Sequence, residues 1–218
     1  YIPVSNAMYI LNPEVVATKT TNYPMKSKKG LTADWRYSSE LSRLGTGFAS
    51  YELDVSRFFT GGGLNYTYNG KTYSFNIKVV QEYDGVCTRL ASEGCNVIMI
   101  IKNAYNRAAL DMIAPGGRSA GNNCYAFNVD EQVPTEKLEA LLSFLANRYS
   151  GTMGTIHTWV IGNEVNTSKP WHYMGNVTAE MLAAHYAREF RVCYNAIKSQ
   201  NAGARVFISI DQRWNYED

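Results

Sequence analysis

Trp159-Val160-Ile161-Gly162-Asn163-Glu164 is a β-prone apolar run that stops on a glycine, an amide and a carboxylate. A buried strand ending this way sets a titratable group at the rim of a sheet, where α/β folds collect their polar chemistry. The flanking sequence identifies the kind of sheet. Upstream, the spacing predicts a helix over 77–92 with Val79, Tyr83, Val86, Cys87 and Leu90 on one face. A strand Val97–Ile101 follows and ends in Lys102-Asn103, then a Gly- and Asn-rich excursion over 104–133. A second helix is expected over 135–149, with Thr135 as N-cap after Pro134 and a stripe of Leu138, Leu141, Leu142, Leu145 and Tyr149. Downstream, a helix from about 179 is capped by Thr178 and turns Leu182, Tyr186, Phe190, Cys193 and Ile197 inward. Arg205–Asp211 reads as the last strand.

Helix and strand therefore alternate over 76–211, which calls for a parallel sheet. The part before it is less regular. Residues 1–43 read as an irregular lead-in with Pro3, Pro13 and Pro24 as breakers, a short strand at Tyr9-Ile10-Leu11 and a weak helix over 33–44. Phe48–Leu53 alternates as a strand, and Tyr66–Phe75 is a hairpin around Asn69-Gly70, a type I′ turn sequence. Asn69-Gly70-Lys71-Thr72 mimics the end of a phosphate-binding loop, but position 65 is Asn where that loop needs Gly. No dinucleotide fingerprint follows any strand, which excludes a Rossmann reading.

The successive strand ends carry Tyr51-Glu52, Lys102-Asn103, Asn163-Glu164 and Asp211. Polar groups at consecutive strand C-termini are the pattern of a (β/α)8 TIM barrel. Four strands and a doubtful first one fall short of eight. The expectation is an α/β chain of (β/α)8 type, an incomplete barrel or N-terminal fragment with about four to five parallel strands plus a β-hairpin. It is read as one domain over 1–218, with recognisable βα units over 44–214, truncated at the C-terminus. A five-stranded sheet that folds alone is the alternative.

Composition narrows the function classes. The 218 residues are 45% hydrophobic and carry net charge +2 from 21 basic and 19 acidic residues, which suits one cored domain with no nucleic-acid or membrane partner. No apolar stretch reaches the roughly 18–20 residues of a membrane span. The chain starts at Tyr1 and has no signal-like apolar region, so it reads as a mature or excised piece. Cys87, Cys95, Cys124 and Cys193 form no C-x-x-C pair, and His157, His172 and His185 form no H-x-x-x-H pair; no metal and no cofactor are expected. Buried thiols are the expectation, with a disulfide at Cys124 left open for an exported protein. Aromatic residues, 13% of the chain, often sit in polar, Asn-rich stretches, where ring faces and amides suit hydroxyl-rich ligands.

At Gly162-Asn163-Glu164 the sequence resembles the fourth strand of the large clan of retaining glycosidases with (β/α)8 barrels. With Ile208-Ser209-Ile210-Asp211-Gln212-Arg213-Trp214, the stretch Trp159–Asn166 looks closest to a poorly characterised barrel family related to those glycosidases, over roughly 44–214. The resemblance implies a glycoside hydrolase-like domain with Glu164 as general acid/base and Asn163 as ligand of the sugar 2-hydroxyl. It also implies a nucleophile on a seventh strand, beyond this chain. Retaining hydrolysis needs two carboxylates about 5–5.5 Å apart, one held protonated so that it can donate to the leaving oxygen. Asn103, Trp171, His172, Asp211 and Trp214 are the expected substrate-binding rim, with Asp211 in a binding or tuning role; Glu52 and Asp54 are weaker candidates for the second carboxylate. The expected partners are a carbohydrate substrate and either the remaining part of the barrel or a partner chain over exposed sheet edges. The expected location is extracellular or the cell envelope. A non-catalytic carbohydrate-binding barrel and a structural half-barrel are the competing readings.

Overall fold

The structure is a computed structural model that describes residues 11–22, 25–32 and 34–212. Its elements follow the alternation in the sequence. Strand β1 is Gly30–Thr32, helix α1 Ser39–Arg43, β2 Phe48–Asp54, and a hairpin follows of β3 Gly63–Tyr68 and β4 Lys71–Asn76. Then come α2 Ile77–Ser92, β5 Asn96–Lys102, α3 Gln132–Arg148, β6 Ser150–Gly151, β7 Gly154–Ile161, α4 Ser168–Trp171, α5 Ala179–Lys198 and β8 Arg205–Ile208.

Five strands run parallel in the spatial order β1-β2-β5-β7-β8, and the two-residue β6 pairs antiparallel with the start of β7. Each crossover moves one place in the same direction. A doubly wound sheet would reverse; this order is the singly wound order of a (β/α)8 barrel, and the described residues form a partial barrel sheet.

The sheet has two faces of different fate. Val97, Met99 and Ile101 of β5 and Ile156, Trp159 and Ile161 of β7 are fully buried against the helices. Their alternating neighbours Ile98, Ile100 and Val160 are half-buried on the opposite, barrel-interior face. On β8, Phe207 is 50% and Ile208 47% exposed, one on each face, while Val206 is half-buried against the core, so this last strand is only partly covered among the described residues.

The helices carry matching stripes. Val79, Tyr83, Val86, Cys87 and Leu90 of α2 are buried, as are Leu138, Leu141, Leu142 and Leu145 of α3 and the following Tyr149. Asp84 joins the two helices: its carboxylate accepts from Arg148 Nε at 2.7 Å and Nη2 at 2.6 Å and from the Tyr149 hydroxyl at 3.1 Å. The hairpin turns on Asn69 and Gly70, both at positive φ (48° and 76°), as a type I′ turn requires. Its aromatic side packs on α3, with the Tyr66 and Phe144 rings 5.4 Å apart.

Several sequence expectations are corrected. Tyr9 and Ile10 lie outside the described residues, and the first described strand is Gly30–Thr32. Thr135 is not an N-cap: α3 begins at Gln132, so Thr135 sits inside the first turn and its hydroxyl bonds back to Glu131 O at 2.7 Å. Thr178 does cap α5, accepting from Met181 N at 3.3 Å. The buried stripe of α5 is His185, Glu189, Cys193, Ala196 and Ile197, while Leu182, Tyr186 and Phe190 are only half-buried. Strand β8 stops at Ile208 because the polar atoms of Ser209 are taken by the turn after β7. All four cysteines are buried free thiols, Cys124 included.

Trp159 fills the sheet–helix interface with no exposure. Trp159→Ala is expected to cost about 3–5 kcal/mol of folding stability, read by urea unfolding; a loss under about 1 kcal/mol would show that it is not a core residue.

Candidate functional site at the strand C-termini

Parallel register puts the chemistry in a row. Leu53, Ile101, Ile161 and Ile208 form the last common rung of β2, β5, β7 and β8. The next residues along these strands are Asp54, Lys102, Gly162 and Ser209. Lys102 Nζ contacts Glu52 Oε2 at 2.5 Å. Asp54 Oδ1 accepts from the backbone N–H groups of Ser56 and Ala104, at 3.0 and 3.1 Å, and so ties the exits of β2 and β5 together.

The exit of β7 is the most constrained part of the row. Gly162 donates its N–H to Ile101 O at 3.0 Å and takes φ +75°. Glu164 also takes a left-handed conformation, φ +45°. A non-glycine residue there costs on the order of 1–2 kcal/mol and persists only where its surroundings hold it. Here the Glu164 N–H points at Ser209 Oγ (3.4 Å), Val165 N–H donates to Ser209 O (3.1 Å), and Thr167 N–H donates to Glu164 O (2.8 Å). A Cβ on Gly162 would stand 2.6 Å from Val165 Cγ1 and 3.2 Å from His172 Nδ1, so only glycine fits. The turn leaves Asn163 and Glu164 half-buried at the rim.

Two long loops wall this side of the mouth. The segment Asn123–Ala126 is laced between them: Tyr125 N–H donates to Asn103 O at 2.9 Å, Ala126 N–H to Tyr173 O at 3.1 Å, and Tyr173 N–H to Cys124 O at 3.1 Å. Asn103 is buried and its amide donates to Met112 O at 2.9 Å, so it braces the loop from inside. His172 is likewise buried, 1% exposed, with Nε2 at 3.1 Å from Glu189 Oε2. Trp171 is half-buried at the end of α4. Asp211 meets the loop after β7: Oδ2 accepts from the Thr167 hydroxyl at 3.0 Å, and its N–H donates to Asn166 Oδ1 at 2.7 Å. Trp214 lies outside the described residues. Of the expected site residues, Asn163, Glu164 and Asp211 come together on the adjoining exits of β7 and β8, Asn103 and His172 stand behind them, and Trp171 lies further along the connection from β7 to α5.

Sequence reasoning passed over the residue behind His172. Glu189 is fully buried on α5, with Oε2 accepting from Phe127 N–H at 3.2 Å as well as facing His172. His185 Nε2 lies 2.9 Å from Phe127 O, which can only accept, so that nitrogen carries the proton. The readable signal was there: Glu189 and His185 share the i, i+4 spacing and the face of Cys193 and Ile197.

A cleft of about 850 Å³ opens at the ends of β1, β2 and β5, lined by Thr32, Tyr51, Glu52, Asp54, Lys102 and Cys124 among others; Glu164 does not line it. Its ionic groups are paired. Arg57 holds Glu82 at 2.5 Å and lowers that carboxyl's pKa, and Arg36 does the same for Asp34. Burial pushes the Cys124 thiol up to about 11, so it is no nucleophile at neutral pH. Among the described residues no group of three or more His, Cys, Asp or Glu could hold a metal ion, and no helix is long and apolar enough to cross a membrane.

With this geometry in view, residues 21–218 match a family of unknown function (DUF5722), and the chain belongs to that family. No curated protein gives a sequence match. Among solved structures, the chain is similar to a hyperthermophilic β-glucosidase from Pyrococcus furiosus, at 12% identity and TM-score 0.51 over 80% of this chain and 43% of that one. It is similar to Fpglu1 from Fervidobacterium pennivoraus at 11% identity and TM-score 0.51, over 81% of this chain and 40% of that one. A family 39 glycoside hydrolase from Bacteroides cellulosilyticus WH2 aligns at 14% identity and TM-score 0.50, over 91% and 32%. The chain thus spans less than half the length of each, and at these identities the likeness is one of fold: a (β/α)8-type barrel.

The turn yields a stability prediction of unusual sign. Glu164→Gly is expected to raise stability by about 0.5–1 kcal/mol by relieving the left-handed backbone, while Gly162→Ala lowers it by more than about 1 kcal/mol. Thermal unfolding measures both; a destabilising Glu164→Gly would contradict the strain.

Proposed function

We propose that this member of the DUF5722 family supplies the acid/base half of a glycoside hydrolase site, with Glu164 as general acid/base and Asn163 as ligand of the sugar 2-hydroxyl. The observation that carries the proposal is Glu164 itself. It is a left-handed, non-glycine residue at the C-terminal end of a barrel strand, beside an amide, in a turn held by both neighbouring strands. Strain of this kind concentrates where a side chain must be aimed.

In the proposed reaction Glu164 acts first as the acid. It donates its proton to the glycosidic oxygen as the bond to the anomeric carbon breaks, and a second carboxylate takes that carbon as a glycosyl ester. Glu164, now a carboxylate, removes a proton from water, the water oxygen attacks the anomeric carbon, and the ester breaks. The second carboxylate is proposed to lie outside residues 1–218. The described carboxylates on neighbouring exits already have structural partners: Asp54 caps a turn and Asp211 accepts from Thr167.

The test uses the protein expressed from its complete reading frame. Glu164→Gln keeps the side-chain shape and is expected to lower hydrolysis of an unactivated glycoside by about 10²-fold or more, with binding of the sugar nearly intact. Turnover equal to wild type would remove Glu164 from the mechanism; absence of turnover in the wild type, with sugar binding retained, would favour the non-catalytic binding barrel.

A further inference from the structure

The turn that carries Asn163 and Glu164 is gripped from two sides. On one side is Ser209, already described. On the other is the His172 ring, whose Nδ1 and Cε1 would stand 3.2 and 3.4 Å from a Cβ placed on Gly162. The ring therefore packs directly against the Gly162 backbone, one residue before Asn163. The ring itself must be fixed for that contact to position anything.

Glu189 fixes it. Its carboxyl group is fully buried, and Oε2, taken as the acceptor, faces His172 Nε2 at 3.1 Å, which makes Nε2 the donor. The same oxygen takes the Phe127 N–H at 3.2 Å. Tyr186, one turn earlier on α5, closes the ring's other side edge-on, with centroids 5.3 Å apart. Its hydroxyl donates to Ile161 O at 2.6 Å, the residue just before Gly162. A helix on the outside of the barrel thus reaches both the last strand residue of β7 and the first residue of its turn. Among the described residues Glu189 Oε1 has no hydrogen-bond partner, so this carboxyl group is held there by one oxygen only. An apolar side chain of similar volume would fill the same space without the cost of burying a carboxyl group.

We propose that Glu189 is a positioning residue: its buried carboxylate orients His172, which, together with Tyr186, sets the aim of Asn163 and Glu164 at the mouth. The inference rests on the reading of Glu164 as acid/base for its functional meaning, and on the geometry alone for the mechanical coupling. Glu189 touches no substrate. It acts through His172, as an outer hydrogen-bond partner orients the group that does the chemistry.

The experiment separates the two layers. Glu189→Gln keeps volume and one acceptor but removes the charge. His172→Gln keeps a donor for Glu189 but removes the ring from Gly162. Amide hydrogen exchange and histidine ¹⁵N NMR are read first, on the protein without substrate. Both variants are expected to speed exchange at Gly162, Asn163 and Glu164 by about 10-fold or more while leaving the Tyr66–Phe75 hairpin unchanged. The His172 Nε2–H signal, present in the wild type, is expected to shift in Glu189→Gln. Hydrolysis is read second, in the protein from its complete reading frame, where Glu189→Gln is expected to lower kcat about 10-fold or more with KM nearly constant. Unchanged exchange at Gly162–Glu164 in both variants overturns the coupling, whatever the activity. Should Glu189→Gln fail to fold, His172→Gln alone decides by the same exchange reading. An active Glu164→Gln would instead overturn the acid/base reading and leave the coupling standing.

Discussion

Parallel pairing in one unbroken direction is the constraint from which the rest of this molecule follows. β1, β2, β5, β7 and β8 all run the same way, with only the two-residue β6 antiparallel, so the C-termini of these five strands open on the same side. The register then aligns those ends: Asp54, Lys102, Gly162 and Ser209 follow one common rung. At the rung Leu53, Ile101 and Ile161 are packed between sheet and helices, while Ile208 on the last strand is 47% exposed. What comes after the rung is polar because the backbone leaves the sheet there and its N–H and C=O groups need new partners. The chemistry of the rim and the irregularity of the loops thus have the same cause.

The exit of β7 shows how tightly the loops are specified. Gly162 and Glu164 both take left-handed backbone, and their carbonyls and amides are absorbed by Ile101, Ser209 and Thr167. Ser209 is thereby withdrawn from strand pairing, which ends β8 early. On the far side, the excursion between β5 and α3 is laced to the loop after β7 and clamped on α5 through Phe127, Glu189 and His185. The turn after β7 is therefore a small strained object held between two supports, which is the arrangement a positioned side chain needs.

The sequence made much of this legible, for reasons that can be named. Asn69-Gly70 between alternating aromatics has few other solutions than a type I′ hairpin, and the leucine stripe of α3 repeats at helical spacing. Glu164 was legible because a carboxylate after an apolar strand is locally conspicuous. The failures have a common origin in tertiary partners. Gly30–Thr32 is only three residues long and exposed at every position, so no periodicity marks it; its pairing with Phe48–Ser50 makes it a strand. His172 was placed on the rim because a loop histidine beside Trp171 looks exposed, and Glu189 was overlooked because a helical glutamate is ordinarily solvated. The two are buried against each other, a fact no local pattern contains. The same pairing rotates the buried stripe of α5 away from Leu182, Tyr186 and Phe190 toward His185 and Glu189.

The central claim is that the strand exits form one sugar-facing mouth centred on Asn163 and Glu164. Backbone amide NMR during titration with an oligosaccharide tests it most directly, since it needs no turnover and reports every exit at once. The account predicts saturable shifts at Asn163, Glu164 and Asp211, with Glu52, Asp54 and Lys102 following as longer sugars are used. Shifts confined to the outer faces of α2, α3 and α5, or no saturable shift at the strand exits with any sugar tried, would contradict it.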